Sequence, residues 1–144
     1  MAVRKRALYI IAVAASCLLV ACGKDNKPGK DITASAVAGS WELSEIVTKA
    51  SIGSVDVSVY LDFTQDGTFT LYQKIGEGRY TKFSGTFTLE KNLLSGNYSD
   101  RKPWGPYNVT LEDSRLSLTK TEGTETDTYK KIDAVPSEVT SNLY

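Results

Sequence analysis

Val55-Asp56-Val57-Ser58-Val59-Tyr60-Leu61-Asp62-Phe63, followed by Thr64-Gln65-Asp66-Gly67-Thr68 and then Phe69-Thr70-Leu71, is the stretch of this 144-residue chain on which the fold turns. The odd positions from Val55 to Phe63 are apolar, and Asp56, Ser58, Tyr60 and Asp62 alternate with them. That period of two belongs to a half-buried strand, since a helix would repeat every three to four residues. Phe69, Leu71 and Ile75 keep the phase on the next strand, interrupted by Gln73. Between the runs, Gln65-Asp66-Gly67 suits a hairpin loop in which a type I turn is followed by a left-handed residue, the place for Gly67. The resulting register sets Phe63 opposite Phe69, Leu61 opposite Leu71 and, on the wet face, Tyr60 opposite Tyr72. A slip by one residue would push Phe69 and Leu71 into water. Asp62 and Asp66 lack the alternating acids and distal Glu of a calcium loop, so turn chemistry is expected of them and no metal.

The same pattern continues in both directions. Phe83, Gly85, Phe87 and Leu89 share a phase, a Lys91-Asn92 loop sets Leu89 opposite Leu94, and Tyr98 falls inward. Tyr107, Val109 and Leu111 face Leu116 and Leu118 across a turn at Asp113-Ser114. Strands are predicted at 40–48, 55–64, 68–75, 80–90, 93–99, 106–112, 115–121 and 125–132. Short strands at this spacing, joined by tight turns and without a convincing helix, predict an all-β fold: an eight-stranded antiparallel up-and-down meander barrel. Closure removes both free edges, which favours a monomeric domain.

The chain begins with a different kind of signal. Arg4-Lys5-Arg6 precedes an apolar segment from Ala7 to Val20, too short to span a bilayer, that ends in Leu19-Val20-Ala21-Cys22. This layout resembles the lipobox of bacterial lipoproteins. The resemblance implies a leader at 1–21 and attachment of two or three acyl chains, palmitate among them, at Cys22. Residues 22–37 read as a flexible tether, 38–133 as the barrel and 134–144 as a tail, with Asp133 to Tyr144 expected to fray.

Chemistry is narrowed by what the chain lacks. With the leader removed, 14 basic residues face 17 acidic ones, a net charge of −3 that carries no nucleic-acid footprint. There is no histidine, which removes the usual general base and the commonest zinc ligand. The lipobox resemblance implies that Cys17 is discarded and Cys22 alkylated, which would leave no thiol nucleophile or disulfide. An enzyme is not expected, nor is a cofactor. Asn97-Tyr98-Ser99 and Asn108-Val109-Thr110 fit the N-glycosylation pattern, but in a chain with a bacterial lipobox they read as coincidences of a Ser- and Thr-rich strand protein.

Gly39-Ser40-Trp41-Glu42-Leu43, Leu61 to Phe69, Gly85-Thr86-Phe87-Thr88-Leu89, Tyr107 to Leu111 and Leu116-Ser117-Leu118 together resemble the lipocalin-like lipoproteins common in Bacteroidetes. The resemblance implies a barrel whose opening Trp41 closes one end beneath a basic side chain from the last strand, Lys130 or Lys131. It also implies a lipid-anchored envelope protein, at the outer membrane, that binds a small apolar or amphipathic ligand. Candidate lining residues are Trp41, Phe63, Phe69, Leu71, Gln73, Phe83, Phe87, Tyr98, Trp104 and Tyr107. Gln73, Gly85 and Gly96 interrupt apolar faces and either mark space for a ligand or serve the barrel's curvature. Trp104, in Lys102-Pro103-Trp104-Gly105-Pro106, reads as a rigid loop residue at the mouth, either a lid or a plug. The alternative to ligand binding is a filled barrel that serves as an interaction or scaffolding module of an envelope complex.

Overall fold

The computed structural model of the protein describes residues 31–47 and 55–144. The leader, Cys22 and the tether as far as Lys30 lie outside them, as does the connection at 48–54. A short helix α1 (Ala34–Val37) precedes the strands β1 (Gly39–Val47), β2 (Val57–Phe63), β3 (Thr68–Ile75), β4 (Thr81–Glu90), β5 (Leu93–Tyr98), β6 (Pro103–Glu112), β7 (Arg115–Lys120) and β8 (Thr126–Ile132). A second short helix, α2 (Ser137–Thr140), follows them. Each strand pairs antiparallel with its neighbours in the chain, and β1 pairs with β8, so the meander closes into an eight-stranded barrel without free edges.

The β2–β3 hairpin has the register its alternation demands: Phe63 opposite Phe69, Leu61 opposite Leu71, Tyr60 opposite Tyr72. Gly67 sits at φ +91°, the left-handed turn position. Asp66 accepts the Thr64 hydroxyl within the turn and Asp62 accepts that of Ser40 at 3.0 Å, so both carboxylates are used locally. Leu89 faces Leu94, and Val109 and Leu111 face Leu118 and Leu116.

Three expectations need correction. β6 begins at Pro103 rather than at 106, because two prolines do not exclude a strand when the chain bulges between them. Leu94 pairs with Tyr107 and Gly96 with Trp104, so two steps on β5 match three on β6, with Gly105 at φ +94° in the bulge. The tether does not run freely to Val37. Ile32 donates its amide to Asn92 Oδ1 at 2.7 Å, Ile32 and Ala34 pack on the core, and Val37 is completely buried at one end of the barrel. The tail is not frayed either. Val139 on α2 is completely buried against Tyr60 and Tyr80 on the barrel's outer wall, and the Tyr80 backbone exchanges two hydrogen bonds with Asn142 and Tyr144.

This outer cluster has a titration consequence. Burial, reinforced by Glu42, pushes the Tyr60 phenol up to about 12. A folded value above the unfolded one means that the stabilisation is complete below about pH 10 and is lost as the pH rises through about 12. Tyr60→Phe should therefore flatten the fall in melting temperature between pH 10 and 12 relative to the parent. Parallel curves for the two proteins would refute the assignment.

Candidate ligand site

On β2, β3 and β4 solvent exposure along the inner face runs in one direction. On β2 and its approach it rises from 2% at Phe63 to 50% at Val55, and on β3 from 1% at Phe69 to 62% at Ile75. On β4 it rises from buried Phe87 to Phe83 at 38%. All of these share the inward phase, so among the described residues the gradient describes a cup, sealed where β1 begins and open where β2 begins.

The sealed end is built around Trp41. Its indole nitrogen donates to the Val37 carbonyl at 2.8 Å, and the Lys131 ammonium lies 4.4 Å from the ring centre while donating to Ala38 O. Lys131 is thus the basic cover, and a cation–π contact of this kind contributes about 1 kcal/mol. Lys130 points outward to Glu42 instead, at 3.0 Å.

The middle of the lumen is filled by aromatic rings. Trp104 is a strand residue whose ring enters the barrel, stacks on Phe69 at 4.3 Å and approaches Phe63 and Tyr107. Phe63 and Phe87 meet edge to face at 5.0 Å. Trp104 is therefore a plug inside the tube rather than a loop residue over its mouth. Gly85 and Gly96 are occupied space: a β-carbon at Gly85 would lie 2.1 Å from Asn97 O and 2.7 Å from the Phe69 ring, and one at Gly96 would lie 3.1 Å from the Trp104 ring. Gly85→Ala should then cost about 1–3 kcal/mol through overpacking, read as a lower urea midpoint by tryptophan fluorescence. An unchanged midpoint would show that the wall yields freely.

Of the candidate lining residues, Trp41, Phe63, Phe69, Phe87 and Trp104 are thus packed core, and Leu71 lies buried just beneath the mouth. Phe83, expected in the core, keeps its inward phase opposite Leu71 but stands at the open end against Tyr98, their rings 5.8 Å apart. Gln73, Phe83, Tyr98 and Tyr107 are the candidates that solvent reaches. Recesses of about 190 Å³ lie beside Tyr107 and Lys120 and beside Gln73 and Phe83.

Two inward residues were missed, Asp127 and Tyr129. They sit opposite Leu118 and Leu116, both buried inner residues. β8 carries almost no apolar pattern, yet Asp127, Tyr129 and Lys131 share parity, so a basic cover over Trp41 would have placed the other two inside. Burial raises the Asp127 carboxyl, with Lys120 opposing. Burial also raises Tyr107, helped by Asp127, and raises Tyr98, helped by Tyr107 and Asp100. Tyr129, 4% exposed, is raised furthest, again by burial first and then by Asp127. The phenols therefore stay protonated and offer neutral hydrogen-bonding groups. Among the described residues no group of three His, Cys, Asp or Glu side chains converges as metal ligands would.

A closed eight-stranded meander, capped at one end by the segment before its first strand and, among the described residues, open at the other, is the cup of a lipocalin-type barrel. The chain belongs to that family: the model of the lipocalin-like domain matches residues 37–118, more than half of it. Among solved structures, lipoprotein YedD from Klebsiella pneumoniae resembles it with a TM-score of 0.51 at 15% identity, covering 73% of this chain and 79% of that one. Fatty-acid-binding protein 1 of Echinococcus granulosus aligns with a TM-score of 0.41 at 15% identity, over 68% of this chain and 98% of that one. No curated protein matches the chain.

Proposed function

We propose that the protein is a lipid-anchored lipoprotein of the cell envelope, attached to the outer membrane through Cys22, whose barrel binds a small apolar or amphipathic molecule without catalysis. The exposure gradient along the lumen carries this reading, because inward aromatic and aliphatic side chains that solvent reaches provide a concave apolar surface for a ligand to cover. Family membership supports it. The aromatic plug confines the ligand to the open half, so the molecule is small or leaves part of itself outside.

The same plug favours a second reading, in which the barrel is a rigid interaction module of an envelope complex. Thermal denaturation of the full chain with short-chain alcohols, acids and amines separates the two. A ligand selective for the native state stabilises it by about 2.7 kcal/mol at a hundredfold excess over its Kd. A rise in Tm of several degrees with at least one compound is expected, and no shift with any of them would leave the module reading.

Anchoring is tested separately by Cys22→Ser. The substituted chain should leave the membrane fraction, since the thiol that carries the acyl chains is gone and one short apolar leader does not span. Retention in membranes would overturn the anchor.

A further inference from the structure

We propose that the open half of the lumen selects a ligand with a protonated amine head, which docks between the Asp127 carboxylate and the hydroxyls of Tyr129, Tyr107 and Tyr98. This deepens the ligand-binding reading and rests on it. Asp127 and Tyr129 are neighbours on the inner face of β8, Tyr107 lies on the inner face of β6, and Tyr98 lies on β5.

Two observations point to a missing partner there. The Tyr129 side chain is 4% exposed, and its hydroxyl has no hydrogen-bond partner among the described residues. A buried hydroxyl left so is costly unless something completes it. Asp127 is half-buried, and among the described residues it has no salt bridge. Among the described residues Lys120 is the basic side chain at an inner strand position in the open half; its charge acts on Asp127, but its ammonium is paired with Glu125 at 2.5 Å.

The charge balance decides the class of head group. A fatty acid or other anion would bring a second negative charge beside Asp127, where Lys120 is paired with Glu125, while Arg79 lies instead in the recess beside Gln73 and Phe83. An ammonium meets the carboxylate directly, donates to the tyrosine oxygens, and lies among the faces of Tyr98, Tyr107 and Trp104, where aromatic rings attract cations. Its apolar portion then covers Phe83 at the mouth.

The test uses the full chain and three probes of equal length, octylammonium, octanol and octanoate, followed by tryptophan fluorescence, to which Trp41 and Trp104 both contribute, and by Tm. Octylammonium should bind at least tenfold more tightly than octanoate. Asp127→Asn, which keeps the volume, should abolish that preference while octanol binding persists, and Asp127→Leu should do the same with tighter octanol binding. If octanol or octanoate binds and the amine has no advantage, or if the preference survives both substitutions, the amine assignment falls while the ligand-binding barrel stands. If none of the three binds, both fall.

Discussion

Trp104→Ala is expected to lower stability by about 3–5 kcal/mol, the range for deleting a buried large aromatic. For a domain of this size that is a fall in Tm of about 15 °C or more. The ring is 6% exposed and stacks face to face on Phe69, with Phe63 and Tyr107 at its edges. The cost therefore combines lost transfer energy with a cavity that strands on opposite sides of the tube cannot both collapse to fill. Trp104→Phe should recover most of the loss, since a smaller ring still meets Phe69. A lid over the mouth would behave otherwise: its removal would cost under about 1 kcal/mol, as for an exposed side chain. Urea denaturation followed by circular dichroism distinguishes the two, and a midpoint within error of the parent would remove Trp104 from the core.

The barrel was legible because its strands keep a strict two-residue period, with large apolar groups on one face only. In β2 and β3 that period fixes parity and register together, so the pairing of Leu61 with Leu71 follows from the letters alone. Legibility ended where parity lost its apolar markers. β8 presents Thr126-Asp127-Thr128-Tyr129-Lys130-Lys131, in which nothing distinguishes inner from outer face until one residue is placed by a contact across the sheet. The Trp41–Lys131 pair supplies that contact, and the candidate head-group residues follow from it. The start of β6 departs from its expected position for a different reason: proline forbids a regular ladder but not a bulged one, and the bulge is set by pairing with β5. The depth of the open lumen is not legible either, because the prolines flanking Trp104 read as a loop and the filling of the tube depends on where that ring goes.

Val139→Asp is expected to release the tail and to cost about 2–4 kcal/mol, a value capped by the tail's own docking energy. Val139 is completely buried between Tyr60 and Tyr80, with Val135, Leu143 and Ile132 around it. Fully burying such a side chain contributes about 1.5–3 kcal/mol, and leaving a carboxylate in its place without a partner would cost considerably more. A chain terminus has a cheaper escape than burying that charge, which is to leave the wall. Undocking forfeits Val139, the contacts of Val135 and Leu143, and the two backbone hydrogen bonds to Tyr80. The barrel interior, with Trp41 and Trp104, is on the other side of the wall and keeps its packing. Protease should then cleave between Asp133 and Tyr144 in the variant but not in the parent, with tryptophan emission unchanged in both. The positions were readable after the fact: Val135, Val139 and Leu143 are four residues apart, and Tyr60 and Tyr72 are large amphipathic rings on a face assigned to water. If Val139→Asp left the tail resistant and stability intact, the outer cluster would not hold the tail, and the alkaline shift of Tyr60 would need another cause.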